Sequence, residues 1–316
     1  MSEFTFIKKI RERAAQYSSE VILGIGDDTA ILPERVGRER LITADLLVEG
    51  VHFKLDYTPL SSLAHKALAV SLSDIAAMGG KPEFSLLSIG IPKSLLTKNW
   101  DEFFDSYFAL AEKFGVTLIG GDTSSSPDKL VIDSIVMGSC KSGKAIRRST
   151  AKIGDAIFVT GTLGASAAGL ELLLNGERMN AEKNHSILAH LLPQPRVEFG
   201  MKAAEIIHSM MDVSDGLAQD LSHICEESNV SAVLDAEEIP VAIGANFEQA
   251  LHGGEDYELL FTANRNDENS LQKIAQTCGL QLSRIGEIIP RTTEKISLRH
   301  NGNPSPLNPK GFDHFM

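Results

Sequence analysis

Apolar positions recur along this chain in two textures: the three-to-four-residue spacing of amphipathic helices and short dense runs of the kind that form buried strands. Residues 5–16 carry the helical spacing, with Lys8, Lys9, Arg11, Glu12 and Arg13 supplying its polar side. The run 21–25 reads as a strand delivering Gly26-Asp27-Asp28 at its end, and 40–45 as a second strand, continued irregularly over 46–53. A helix over 60–78 follows, with small residues on one face, stopped by Gly79-Gly80 and Pro82. Residues 84–91 are apolar enough for a buried strand, and 100–114 form a helix ending at Gly115. A strand over 117–119 runs into Gly120-Gly121-Asp122, and 130–138 alternates like another strand.

The texture then changes. Residues 140–152 are rich in Lys, Arg, Ser and Gly, which marks a boundary and predicts domains over 1–139 and 140–316. Beyond it the pattern predicts strands at 156–160, 210–213, 232–235, 257–262 and 281–288. Helices are predicted at 165–174, 196–208, 216–228 and 270–278, with a looser insertion over 175–195. Strands and helices mix without strict alternation, so the expected class is α/β with mixed, α+β-like sheets in two domains.

Composition narrows the chemistry. Among 316 residues, 42 are acidic and 30 basic, a formal net charge of −12. Nucleic-acid binding rests on clustered Lys and Arg and is not expected. An acidic protein can still take an anionic nucleotide when divalent cations dominate the local field. Cys140, Cys225 and Cys278 are far apart, with no metal or disulfide spacing, which points to a reducing, cytoplasmic setting. No run approaches the ~18 apolar residues of a membrane span. The charged N-terminal segment reads as a helix and not as a signal peptide.

Five short acidic motifs stand beside glycine, serine or strand-like runs. They are Gly26-Asp27-Asp28, Thr43-Ala44-Asp45, Ser73-Asp74, Gly120-Gly121-Asp122 and Asp212-Val213-Ser214-Asp215-Gly216. Small residues let backbone and ligand approach closely. Carboxylates are the ligands Mg²⁺ selects, usually one or two per ion with phosphate oxygens completing the shell. The set reads as a multi-metal polyphosphate site, although Asp beside Gly is also ordinary turn chemistry. The last motif brackets Ser214 with two carboxylates just before a helix, offering that helix's N-terminus to an anion. Asp215 is a candidate cap for the same helix.

Other motifs are weaker. Gly138-Ser139-Cys140-Lys141-Ser142-Gly143-Lys144 fits the Walker A spacing, but Ala145 stands where the metal-binding hydroxyl belongs, so a basic linker is expected. His52 sits between apolar neighbours, and Gly253-Gly254-Glu255-Asp256-Tyr257-Glu258 reads as an acidic turn opening a strand. Arg147-Arg148 is either a solvated pair or a cation for phosphates.

Together the motifs carry a resemblance. Gly24-Ile25-Gly26-Asp27-Asp28-Thr29-Ala30, Thr43-Ala44-Asp45 with Val48-Glu49-Gly50-Val51-His52-Phe53, and Ser73-Asp74-Ile75-Ala76-Ala77-Met78-Gly79 come first. Leu118-Ile119-Gly120-Gly121-Asp122-Thr123, Asp212-Val213-Ser214-Asp215-Gly216-Leu217 and His252-Gly253-Gly254-Glu255-Asp256-Tyr257-Glu258-Leu259-Leu260 follow. In this order they closely resemble the bacterial thiamine-monophosphate kinases, members of the aminoimidazole ribonucleotide synthetase-like ATP-binding superfamily. The resemblance runs from Phe4 to Gly311-Phe312-Asp313-His314-Phe315.

It implies that superfamily's two-domain architecture, phosphorylation of thiamine monophosphate to thiamine diphosphate, ATP as co-substrate, several Mg²⁺ ions and a homodimer whose N-terminal domains pair. Carried over by position, Asp28, Thr43, Asp45, Asp74, Asp122, Asp212 and Asp215 fall on metal positions. Phe104, Gly121, Asp122, Arg148 and Ser214 fall on nucleotide positions, and His52, Glu255 and Phe312 on positions contacting the thiamine substrate. Two departures stand out: Ala44 replaces a frequent Thr, leaving only a carbonyl there, and Phe104 replaces an aromatic that is often Tyr. The acceptor phosphate is largely ionised near neutral pH, its second pKa being roughly 6. No general base is therefore expected, and direct in-line transfer is. The alternatives are a related synthetase activating a carbonyl or amide oxygen, a selenophosphate synthetase, or a non-catalytic nucleotide-binding protein. The selenophosphate enzyme would be expected to carry a reactive Cys near the N-terminus, and the first here is Cys140.

Overall fold

A computed structural model describes Ile10, Glu12, Arg13, residues 35–178 and residues 184–310. The expected strand at 21–25, the Gly26-Asp27-Asp28 motif and Phe312 lie outside the described residues. The chain divides into two units, Met1–Ile75 with Lys81–Gly143, and Ala76–Gly80 with Lys144–Met316.

In the first unit, strand alternation builds β1 (Arg38–Val48), β2 (Lys81–Pro92), β3 (Thr117–Ser126) and β4 (Val131–Lys141). They form one sheet in the order β1-β4-β2-β3, with β2 and β3 parallel and the other neighbours antiparallel. Helices α1 (Leu60–Ala77) and α2 (Trp100–Phe114) supply much of its core. The small residues of α1 allow tight packing: Leu63, Ala64, Ala67, Leu68 and Leu72 are all fully buried. From α2, Phe103 and Tyr107 are fully buried, and the Tyr107 hydroxyl donates to Ser85 Oγ at 3.0 Å. The Walker-like segment begins inside β4 and ends in a turn, opening no helix.

The second unit holds β5 (Ala156–Thr160), α3 (Ala165–Leu174), α4 (His185–Leu191), α5 (Val197–Ala203), β6 (Ile207–Asp212), α6 (Leu217–Glu227) and β7 (Ser231–Asp235). Then come α7 (Phe247–His252), β8 (Leu259–Ala263), α8 (Glu268–Thr277), β9 (Leu282–Ile289), β10 (Ile296–His300) and β11 (Asn303–Pro306). Its sheet runs β11-β10-β7-β9-β5-β8-β6, with β10 and β7 parallel and the rest antiparallel. The central strands β5 and β8 are buried throughout, and Phe158 stacks on Phe261 with ring centroids 5.3 Å apart.

The sequence predicts one helix over 196–208. It is α5 only as far as Ala203, and its last two residues belong to β6, which also covers most of the strand predicted at 210–213, because Ile207–Asp212 pairs with Ala263–Leu259 of β8 and long-range pairing outweighs local propensity. The sequence reading also lacks α7, which opens on an Asn246–Gln249 capping box, and the β10–β11 hairpin.

Candidate functional site

In the first unit, β1 and α1 bring the sequence-predicted carboxylates together. The Thr43 hydroxyl donates to the Asp74 carboxylate, and the Ser71 hydroxyl donates to Asp45 at 2.6 Å. Asp45 is pushed up to about 6, first by burial, then by the negative charges of Asp74 and, more weakly, Asp133. Asp133 is a residue the sequence reading missed; in register it stands beside Leu46 of β1 and Ser88 of β2, and Ser88 pairs in turn with Asp122 of β3. Asp122 is exposed, and its carboxylate accepts the Thr123 amide at 2.9 Å. Alternation puts Ala44 on the opposite face from Thr43 and Asp45, together with Ile42 and Leu46, which are 67% and 53% exposed. A side chain at position 44 would therefore point away from the Asp45 cluster.

Gly121 has a backbone reason of its own. At φ 146° it lies where a β-carbon would fall 1.9 Å from the Leu87 carbonyl oxygen, so only glycine lets β3 approach β2 this closely. The turn carrying His52 is held by the Glu49 amide donating to the Leu130 carbonyl at 3.0 Å and by the Glu49 carboxylate accepting the Leu130 amide at 3.0 Å. Here His52 Nδ1 accepts the Val48 amide at 3.0 Å, so the ring proton of the neutral imidazole sits on Nε2. Phe104 is 4% exposed and packs edge-on against Phe103, with centroids 5.3 Å apart. It offers no open ring face for a nucleotide base.

The second unit begins with an exposed basic stretch. Arg148 opens a short turn whose carbonyl accepts the hydroxyls of Ser209 at 3.0 Å and Ser228 at 2.7 Å. Its backbone is thus fixed, its side chain is exposed, and it makes no ion pair among the described residues.

The two acidic motifs of this unit clasp each other. The Val213 amide donates to the Glu258 carbonyl at 2.8 Å, Tyr257 to Val213 at 2.9 Å, and Glu255 to Ser214 at 2.8 Å. Gly254 permits the approach, since a β-carbon there would lie 2.4 Å from the Ser214 carbonyl oxygen. Beneath the clasp, Oδ2 of Asp220 accepts the amides of Ser214, Asp215 and Gly216 at 3.1–3.2 Å. This corrects the expected anion site: the amides entering α6 are committed to an internal carboxylate. It also corrects the expected Asp215 cap, for Gly216 is the N-cap and makes no side-chain bond. Burial, then the charges of Asp212 and Asp215, push the Asp220 carboxyl well above the usual carboxylate range.

Within the Gly253–Glu258 segment the acidic residues divide their tasks. Asp256 accepts the amides of Gly164 at 2.6 Å and Ser166 at 3.1 Å, tying the loop to the start of α3. Glu258 is buried, accepts the Thr160 hydroxyl at 2.6 Å and pairs with Arg196. Glu255 keeps a partly exposed carboxylate, with its side chain 27% exposed. Among the described residues no group of three or more His, Cys, Asp or Glu forms a ready metal cage.

Comparison with known proteins places this architecture. The profile of the AIR synthase related protein N-terminal domain matches residues 26–140, and that of the C-terminal domain matches 152–299. The thiamine-monophosphate kinase of Bacillus subtilis (strain 168) is 38% identical over 325 residues, 100% of both chains. The chain belongs to the thiamine-monophosphate kinase family. The Escherichia coli (strain K12) member is 38% identical over 324 residues, covering 99% of this chain and 98% of its own. The crystal structure of the Stenotrophomonas maltophilia K279a member superposes with a TM-score of 0.85 at 36% identity, covering 96% of this chain and 98% of that one. A structure described as AaThiL complexed with AMPPCP and TMP gives 0.78 at 31% identity, covering 99% and 97%.

Set against this family, the chain groups Thr43, Asp45 and Asp74 in one unit and Asp212, Ser214, Asp215 and Glu255 in the other. Asp220, Asp256, Arg196 and His190 are the buried supports that the sequence reading did not find. For Asp220 a signal existed: an acidic residue four positions after Gly216 on a helix whose cap lacks a side-chain acceptor.

Proposed function

We propose that this chain transfers the γ-phosphoryl group of ATP to the phosphate of thiamine monophosphate, giving thiamine diphosphate and ADP. The observation that carries the reading is the clasp of the second unit, which holds Asp212, Ser214 and Asp215 beside Glu255 by direct backbone pairing. It does so in a chain that matches thiamine-monophosphate kinases from end to end, one of which is described with AMPPCP and TMP together.

The chemistry asked of the protein is positioning. The acceptor oxygen is ionised without help, since a phosphate monoester's second pKa is roughly 6. What must be overcome is repulsion between two phosphates brought into line. Thr43, Asp45, Asp74, Asp122, Asp212 and Asp215, with Asp28 outside the described residues, are the groups that would hold Mg²⁺. The residues fit the ion: the charge of Asp74 raises the cost of ionising Asp45, and hydroxyl oxygens from Thr43 and Ser71 lie against these carboxylates. Bound Mg²⁺ neutralises and clamps phosphate oxygens, with one or two carboxylates per ion sufficing.

Arg148 has the exposed guanidinium and fixed backbone suited to bidentate contact with ATP phosphates. Ser214 has its amide on Asp220 and its carbonyl on Glu255, which leaves its hydroxyl for the nucleotide. His52, donating from Nε2, suits an acceptor on the substrate, and Glu255 balances the cationic thiazolium or accepts from the aminopyrimidine. Gly121 serves by letting the Asp122 strand approach, and the Phe104 ring serves the core.

A homodimer is supported by the first unit, where, among the described residues, β1 is an edge strand with Ile42 and Leu46 exposed. Exposed apolar rows beside an unpaired edge are surfaces that a second copy covers. Cytoplasmic residence is supported by three free cysteines, two of them buried. Among the described residues no helix is long and apolar enough to cross a membrane. Measuring ADP release with ATP and Mg²⁺, with and without thiamine monophosphate, tests the function. Release that ignores thiamine monophosphate, or that unphosphorylated thiamine stimulates equally, overturns it.

A further inference from the structure

Glu255 is held in an uncommon backbone conformation, and its carboxylate is turned onto a buried histidine. Its φ is 65°, a left-handed value that side chains with a β-carbon seldom adopt unless surroundings enforce it. The enforcement is visible: its amide is bonded to Ser214 and its neighbour Asp256 is tied to α3. Oε2 of Glu255 lies 3.2 Å from Nδ1 of His190, which is 2% exposed. The same Nδ1 lies 3.0 Å from the Ser166 hydroxyl. His190 projects from α4, whose first turn is fixed by Asn184 accepting the amides of Ser186 and Ile187.

One ring nitrogen facing both a hydroxyl and a carboxylate has a preferred protonation. With Nδ1 bare, its lone pair would face carboxylate lone pairs. With Nδ1–H, the ring donates to Glu255, and Ser166 Oγ can serve as a second acceptor. Ser166 and Glu255 meet the same ring nitrogen, so these two residues do not form a nucleophile–base–carboxylate relay, whose partners sit on opposite ring nitrogens. The cluster therefore orients a side chain and activates none.

We propose that His190 is the positioning residue for Glu255: its Nδ1–H holds one carboxylate oxygen so that the other meets the cationic thiamine moiety. His190 thereby sets affinity for the acceptor without touching it. The inference rests on the reading of Glu255 as a substrate contact.

The test compares two amides in the full-length chain. In His190→Asn the amide donor falls near the position of Nδ1, and in His190→Gln it falls near Nε2. Steady-state rates are taken with thiamine monophosphate varied at saturating Mg-ATP, then with the roles exchanged, alongside melting curves. His190→Gln should raise KM for thiamine monophosphate about tenfold, the effect of losing one charge-assisted hydrogen bond. Its kcat and its KM for ATP should stay within about twofold, and His190→Asn should recover most of the loss. Glu255→Gln should raise the same KM, and adding His190→Gln to it should do nothing further. Equal behaviour of the two amides, a joint fall of kcat with both KM values, or additive effects in the double variant would each overturn the positioning role. A Glu255→Gln enzyme with unchanged KM would remove the substrate reading itself, and the proposal with it. A raised KM there beside an unaltered His190→Gln enzyme would remove the positioning role alone.

Discussion

Asp256→Asn should change how stability responds to pH as well as stability itself. The Asp256 carboxylate lies against the amides of Gly164 and Ser166, and burial, opposed by these bonds and assisted by the charge of Glu258, raises its pKa from 3.8 to about 7. Between those values the folded protein binds a proton that the unfolded chain has released. Stability contributed by this group is therefore complete below about 3.8 and is lost as pH rises through about 7, at about 1.4 kcal/mol per pH unit. From pH 5 upward about two units of that window remain, or roughly 3 kcal/mol, and residual solvent access reduces this to roughly 2 kcal/mol. Asparagine does not titrate; it keeps one acceptor and loses one hydrogen bond, a deficit of about 1 kcal/mol at every pH.

The observable is the difference in unfolding free energy between the two proteins, from urea titrations at pH 5, 6, 7 and 8 followed by circular dichroism. All other titrating groups cancel in that difference. The wild type should lead at pH 5 by roughly 3 kcal/mol, and its lead should shrink by roughly 2 kcal/mol by pH 8. A difference that stays constant within about 1 kcal/mol across this range would mean that Asp256 ionises normally and that the amides of α3 outweigh its burial.

Asp74→Asn and Asp122→Asn should each lower kcat by orders of magnitude while melting stays within a few degrees of wild type; activity within a few-fold of wild type would contradict the metal assignment. Lys144→Ala should leave KM for ATP within about twofold, because its segment belongs to a strand and a turn; a tenfold rise would make it a phosphate loop after all. Gly121→Ala should destabilise the first unit by more than about 2 kcal/mol, since its β-carbon would fall 1.9 Å from the Leu87 carbonyl oxygen, and a near-wild-type melting temperature would refute that packing.

Legibility in the sequence followed the range of the forces involved. The helix Trp100–Phe114 and the strand Ala156–Thr160 match the pattern to the residue, because periodicity and a terminal glycine are local signals. The helix predicted over 196–208 overran for the opposite reason: its last two residues belong to β6, which owes its strand to pairing with the distant β8. Residues 296–306 failed because their strands are short and partly exposed, so no buried run announced them. The metal-type carboxylates were legible as a class, yet Asp133 was not, for it reaches the cluster only through the register of β4 against β1 and β2.

The Asp212–Gly216 motif shows how a list of residues read by local rules can carry a wrong geometry. Two carboxylates and a serine before a helix suggest, by local rules, amides open to an anion. The chain closes that option with Asp220, one turn into the helix, whose single oxygen collects the amides of Ser214, Asp215 and Gly216. Its other oxygen, Oδ1, is buried without a hydrogen-bond partner. A carboxyl in that setting occupies the amides that an anion would need, and it fixes the loop before any ligand arrives. Ser214 and Asp215 are the partly exposed residues of this loop, while Asp212 is buried beside them. On the proposed function these groups would meet phosphate by way of a cation, so the loop would favour the metal-bound form of the nucleotide over the bare anion.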